Sequence, residues 1–146
     1  MKQIYVVDND PGMCQLMSMA FAQAGHAVIA TGTPAIAEKA LESGQCAALL
    51  MDFHLGAGES GGALVASWAD RHGLPPTWIV TGTPDDPYLA DMEATPGLKG
   101  VVSKPFAIMD LVAKVIGSLQ SDEAPSALGD LQSDAGSTSP QAEAQE

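Results

Sequence analysis

Basic residues are scarce in this chain. Its 146 residues include only six lysines and arginines, Lys2, Lys39, Arg71, Lys99, Lys104 and Lys114, against 18 acids, for a net charge of −12. The six do not cluster, so the electrostatic footprint that draws a protein to nucleic acid or to an anionic membrane surface is missing. No apolar run approaches the roughly 20 residues needed to cross a bilayer. The first residues enter a strand-like segment without a secretion-signal pattern. Cysteine is nearly absent: Cys14 and Cys46 form no CxxC pair and sit in apolar surroundings, which reads as two buried, reduced thiols. His26, His54 and His72 are far apart in the chain, which argues against a histidine-based metal cluster. These absences point to a cytoplasmic protein with no nucleic-acid and no membrane partner.

What the chain does have is a set of short apolar runs, each ending on a residue suited to phosphate chemistry. Ile4–Val7 ends at Asp8, Ala47–Met51 at Asp52 and Trp78–Val80 at Thr81; Val101-Val102 leads through Ser103 to Lys104-Pro105. In an open α/β sheet, residues just past the carboxyl ends of parallel strands line one crevice. There an acid nucleophile, a second acid, a hydroxyl and an ammonium suffice to accept and stabilise a phosphoryl group.

The intervening segments support that sheet. Gln3–Val7, Ala27–Ala30, Ala47–Met51, Thr77–Val80 and Gly100–Ser103 are short, apolar and β-branched enough for buried strands. Helices are predicted from Pro11 to Ala24, from Pro34 to a stop at Gly44 with Thr33 as N-cap, from about Ala63 to Arg71 after a glycine-rich loop, and over Ala107–Leu119. A weaker helix over Pro84–Glu93 is interrupted by Pro87. The alternation predicts an α/β fold: a doubly wound, five-stranded parallel sheet of flavodoxin-like order 2-1-3-4-5, with helices on both faces and Asp8 facing Asp52 at the switch point. Residues 1–119 would form one domain. From Gln120 the composition turns to Ser, Ala, Gln, Gly, Asp and Glu, with no basic or aromatic residue, and residues 120–146 read as a disordered acidic tail. Leu-Gln-Ser-Asp occurs at 119–122 and again at 131–134; of the two readings, a weak docking repeat and chance repetition, the biased composition favours chance.

Taken together and in order, VVDNDP (6–11), LLMDFHL (49–55), VTGT (80–83) and SKPF (103–106) resemble the receiver domain of two-component response regulators, over residues 1 to about 119. The resemblance implies that Asp52 accepts a phosphoryl group from a histidine kinase or phosphotransfer protein, that Thr81 bonds a phosphoryl oxygen and that Lys104 pairs with the acyl phosphate. It also implies a Mg²⁺ site made by Asp8, Asn9, Asp52 and the backbone carbonyl of His54. Such a domain is not an enzyme; it signals through contacts with an output protein. The lack of an attached output module reads as a stand-alone receiver.

The chain departs from the family pattern at several points. Asn9 stands where the family has a second acid, which weakens the expected Mg²⁺ site by one negative charge. Val101 stands three residues before Lys104, where the family has Tyr or Phe. These departures fit a second reading, a pseudo-receiver that acts as an adaptor without phosphorylation. A third is an enzyme: Asp8-Asn9-Asp10 is a DxD, and with Thr81 and Lys104 it resembles haloacid-dehalogenase-type phosphatases, in which Asp8 would be the nucleophile and Asp10 the general acid/base. Gly12 in place of Thr or Val, the lack of room for a cap domain, and Asp52 left without a role weigh against it.

Overall fold

The computed structural model describes residues 2–56 and 58–123, of which 120–123 are described by backbone alone. Twelve elements follow one another: β1 (Gln3–Val7), α1 (Pro11–Gln23), β2 (Val28–Thr31), α2 (Pro34–Glu42), β3 (Cys46–Asp52), β4 (His54–Gly56), β5 (Glu59–Ser60), α3 (Gly61–Arg71), β6 (Thr77–Thr81), α4 (Pro87–Asp91), β7 (Leu98–Ser103) and α5 (Ile108–Glu123). The sheet and the residues discussed below lie in one compact unit that ends at Val115. The acidic tail expected over 120–146 and the second Leu-Gln-Ser-Asp fall almost wholly outside the described residues.

Five strands form one parallel sheet of order β2-β1-β3-β6-β7, the 2-1-3-4-5 order expected, because β4 and β5 form a separate small hairpin. The central strands β1, β3 and β6 are buried on both faces, as a parallel sheet between helix layers requires, while the edge strands β2 and β7 are only partly covered. Alternate residues sort to the two sides. Tyr5, Val7, Leu49, Met51 and Ile79 join Ala37, Val65, Trp68, Leu89 and Met92 in one cluster. The residues between them, Ile4, Val6, Ala48, Leu50, Trp78 and Val80, are buried too, and Met17 and Phe21 of α1 and Leu111 and Val112 of α5 are further buried apolar side chains outside that cluster. Burying side chains of this size contributes about 1.5–3 kcal/mol each, and the sheet is thereby a rigid base for its carboxyl-terminal edge.

Several local expectations are corrected. The loop after Asp52 is not irregular: His54 pairs with Ser60 and Gly56 with Glu59 in an antiparallel hairpin. Ser60 then caps α3, its hydroxyl accepting from Ala63 N at 3.2 Å, so the helix begins at Gly61 rather than near Ala63. Pro87 does not interrupt a helix but begins one. It occupies the first turn of α4, where a missing N–H costs nothing, and Asp86 accepts from Tyr88 N at 2.9 Å. Thr33 holds the N-cap position of α2 without a side-chain hydrogen bond. Both cysteines are free; Cys46 is buried, whereas Cys14 is half-exposed rather than buried. His72, at the end of α3, is not isolated either: it lies against Glu38 and Glu42 of α2.

Candidate functional site

The site is built where β1 and β3 end side by side. Their register pairs Val7 with Met51, so the next residues, Asp8 and Asp52, leave the sheet as neighbours. On the other side of β3, Asp52 pairs with Val80, and Thr81 pairs with Ser103 at the end of β7. Two backbone bonds extend the ladder beyond the strands, Phe53 N to Val80 O at 2.8 Å and Lys104 N to Thr81 O at 2.7 Å. Residues far apart in sequence are thus fixed at one edge by backbone pairing alone. The peptide bond between Lys104 and Pro105 is cis.

Asp8 and Asp52 are buried, 4 % and 5 % exposed, and one ammonium serves both. Lys104 Nζ donates to Asp52 Oδ1 at 3.2 Å and lies 3.8 Å from Asp8 Oδ2. Asp8 also accepts from Asp10 N at 2.9 Å. Burial raises the Asp8 pKa above the ordinary carboxylate value; the charge on Asp52 adds to the rise, while the Asp10 amide and Lys104 oppose it. Two buried carboxylates and one cation leave the pocket short of positive charge. A hard-oxygen donor set of this kind fits a divalent cation.

The remaining predicted residues take other positions. Asn9 is exposed, and its Nδ2 would lie 3.1 Å from a Cβ added to Gly56, so its amide faces the hairpin. Thr81 is fully buried; its Oγ1 accepts from Thr83 N at 2.9 Å and shares a hydrogen bond of 3.1 Å with Thr83 Oγ1. The His54 ring is exposed, is hydrogen-bonded through Nε2 to the same Thr83 hydroxyl at 3.0 Å, and meets Phe53 edge-on. The structure therefore gathers Asp8, Asp52 and Lys104 into direct contact, and links Thr81 to His54 through Thr83. Sequence reasoning assigned Thr83 no role, because a hydroxyl two residues past a strand end carries no pattern of its own. It also missed Cys14, whose Sγ donates to the Asp8 carbonyl at 3.2 Å. Asp10, offered as an acid/base in the phosphatase reading, spends its Oδ1 on Gly12 N at 2.9 Å as the N-cap of α1.

Residues 4–116 match the model of the response regulator receiver domain. The chain belongs to that family. Among solved structures, this receiver is similar to a CheY-like receiver domain protein from Methanospirillum hungatei JF-1, with 20 % identity and a TM-score of 0.73 over 84 % of this chain and 97 % of that one. The receiver domain of Francisella response regulator 1452 gives 15 % identity and a TM-score of 0.73 over 84 % and 100 % of the two chains. A Burkholderia pseudomallei response regulator, solved with a phosphorylated aspartic acid, calcium ion and citrate, gives 20 % identity and a TM-score of 0.66 over 90 % and 78 %. No curated protein matches the chain. At these identities the solved structures establish the fold. Among the described residues of the receiver, no helix is long and apolar enough to cross a membrane.

Proposed function

We propose that this receiver accepts a phosphoryl group on Asp52 from a phosphohistidine of a kinase or phosphotransfer protein, and passes the signal on by protein–protein contact. The observation that carries the reading is the buried Asp52 carboxylate at the end of β3, 3.2 Å from Lys104 Nζ and beside Asp8. An Asp52 oxygen attacks phosphorus, the O–P bond forms as the P–N bond of the donor breaks, and the imidazole leaves. Lys104 neutralises charge on the acceptor and then pairs with the acyl phosphate. Thr81 turns its hydroxyl from Thr83 to a phosphoryl oxygen. Such transfer depends on positioning and charge neutralisation, which this edge provides. Mg²⁺ would be held by Asp8, Asp52, the Asn9 amide oxygen and the His54 carbonyl; once bound it supplies the further positive charge that transfer requires. The receiver is an acceptor within a relay, not an enzyme turning over a free substrate, and it works in the cytoplasm. Exposed Leu16 and Met19 on α1, a helix with no charged residue, offer the donor an apolar surface.

The phosphorylation-independent adaptor is favoured by one observation. Val101, at 37 % exposure, has no ring to bury or expose beside Thr81. Incubation with acetyl phosphate separates the two readings. Labelling that needs Mg²⁺, disappears in Asp52→Asn and falls in Lys104→Ala supports the relay reading; an unlabelled wild-type protein supports the adaptor.

A further inference from the structure

A second cluster of ligating side chains lies at the opposite edge of the sheet, near the start of β3. Glu38 and Glu42 stand four residues apart on α2, which puts both carboxylates on one helix face. His72, at the C-cap of α3, meets them. Its Nε2 is 3.0 Å from Glu38 Oε2 and 3.9 Å from Glu42 Oε2, and one ligand atom from each of the three lies within 4.8 Å of the others. A single ring N–H can donate to one carboxylate but not to both. A cation seated among the three can bind them all. With metal–ligand bonds of about 2.0–2.2 Å, donor atoms around one ion sit roughly 3–3.5 Å apart, so small side-chain movements suffice.

The His72 and Glu38 side chains are only 15 % and 23 % exposed, so two of the three donors are partly desolvated, while Glu42 is 55 % exposed. A cavity of about 300 Å³, lined by Lys2, Leu41, Cys46, His72, Leu74 and Pro75 among others, opens beside the ring. Arg71 is the resident competitor, with Nη1 2.7 Å from Glu38 Oε2. Its side chain is 52 % exposed, and its other bond is to Ser67 on the same helix, so it can turn to solvent at little cost.

We propose that Glu38, Glu42 and His72 form a binding site for a borderline divalent transition-metal ion, Zn²⁺ in preference to Mg²⁺, which clasps α2 to the end of α3. The imidazole nitrogen sets that preference, since Mg²⁺ takes oxygen ligands and Zn²⁺ accepts both.

The test is thermal unfolding of the full chain across a Zn²⁺ titration in saturating Mg²⁺, with Co²⁺ absorption as a readout independent of variant stability. Zn²⁺ should raise the Tm of the wild type. His72→Gln and Glu42→Gln should each weaken the apparent affinity about tenfold or more. Arg71→Ala, which frees Glu38, should bind at least as tightly as the wild type, and Asp52→Asn should respond like the wild type. A Tm that Zn²⁺ does not move, a rise that survives His72→Gln, or a response lost in Asp52→Asn would each overturn the site. If the cluster is only a salt-bridge network, Arg71→Ala loses stability and gains no metal response.

Discussion

Asp8 shows how a single residue at the site stands against the stability of the fold. Its carboxyl is buried beside a second acid, and its folded-state pKa lies above the unfolded value of 3.8. The sign follows from linkage: the folded protein takes up a proton at Asp8 before the unfolded chain does. This group therefore detracts from stability at neutral pH. The loss is recovered as the pH falls through the folded pKa toward 3.8. Asp8→Asn is expected to raise stability at pH 7 by roughly 1 kcal/mol, a usual scale for relieving a strained functional group, and the gain should shrink on acidification. Calorimetric melting of both proteins over that range checks it; an unchanged or lower Tm at pH 7 counts against the charge argument. Asn9 bears on the same balance. Asn9→Asp should tighten Mg²⁺ binding, because a hard dication gains from each added carboxylate. Equal affinities in parallel titrations would remove Asn9 from the cation site.

At the scale of elements, the junction of β3 with α3 sets the aim of Asp52. Gly61 N donates to Phe53 O at 2.8 Å, and a Cβ on Gly61 would collide with the Asp52 carbonyl oxygen and crowd the Met51 side chain. Only glycine lets the helix start so close to the strand end. Gly61→Ala should cost about 3 kcal/mol by forced backbone movement and should lower phosphorylation more than an equally destabilising core substitution does. If the variant melts like the wild type, the close approach is not what holds Asp52. The segment from Thr81 to Glu93 is the other element at the edge. It carries a helix of five residues, pinned by buried Leu89 and Met92 yet ending its strand on a hydroxyl already engaged with Thr83. Beryllofluoride, standing in for the phosphoryl group, must compete for that hydroxyl. Amide shifts around Thr81–Glu93 should exceed those around Val101. Shifts centred on Val101 instead would assign the response to β7.

For the whole molecule, the sheet and the meeting of Asp8 and Asp52 at its carboxyl-terminal edge were legible because they rest on patterns that the chain repeats. Apolar runs ended at Asp8, Asp52 and Thr81, and the right-handed crossover rule supplied the order that puts Asp8 and Asp52 side by side. The features that escaped have no periodic signature. The β4–β5 hairpin is two short strands around glycines, and its pairing competes with a plain loop in any reading of composition. Pro87 reads as a breaker until Asp86 is seen to cap the turn that it starts. The convergence of His72 with Glu38 and Glu42 depends on how α3 returns to the sheet, which local sequence does not encode. The role of Thr83 depends on a side-chain hydrogen bond that can be placed only once Thr81 and His54 are.

The central claim is that this edge takes up phosphate on Asp52. The direct measurement is to treat the wild-type protein with acetyl phosphate and Mg²⁺, trap the acyl phosphate by reduction and map the modified residue by peptide mass spectrometry. The label is predicted on Asp52 alone. Label on Asp8 would contradict the account and restore the phosphatase reading, and a protein that takes no label would leave the fold in use without the phosphoryl chemistry.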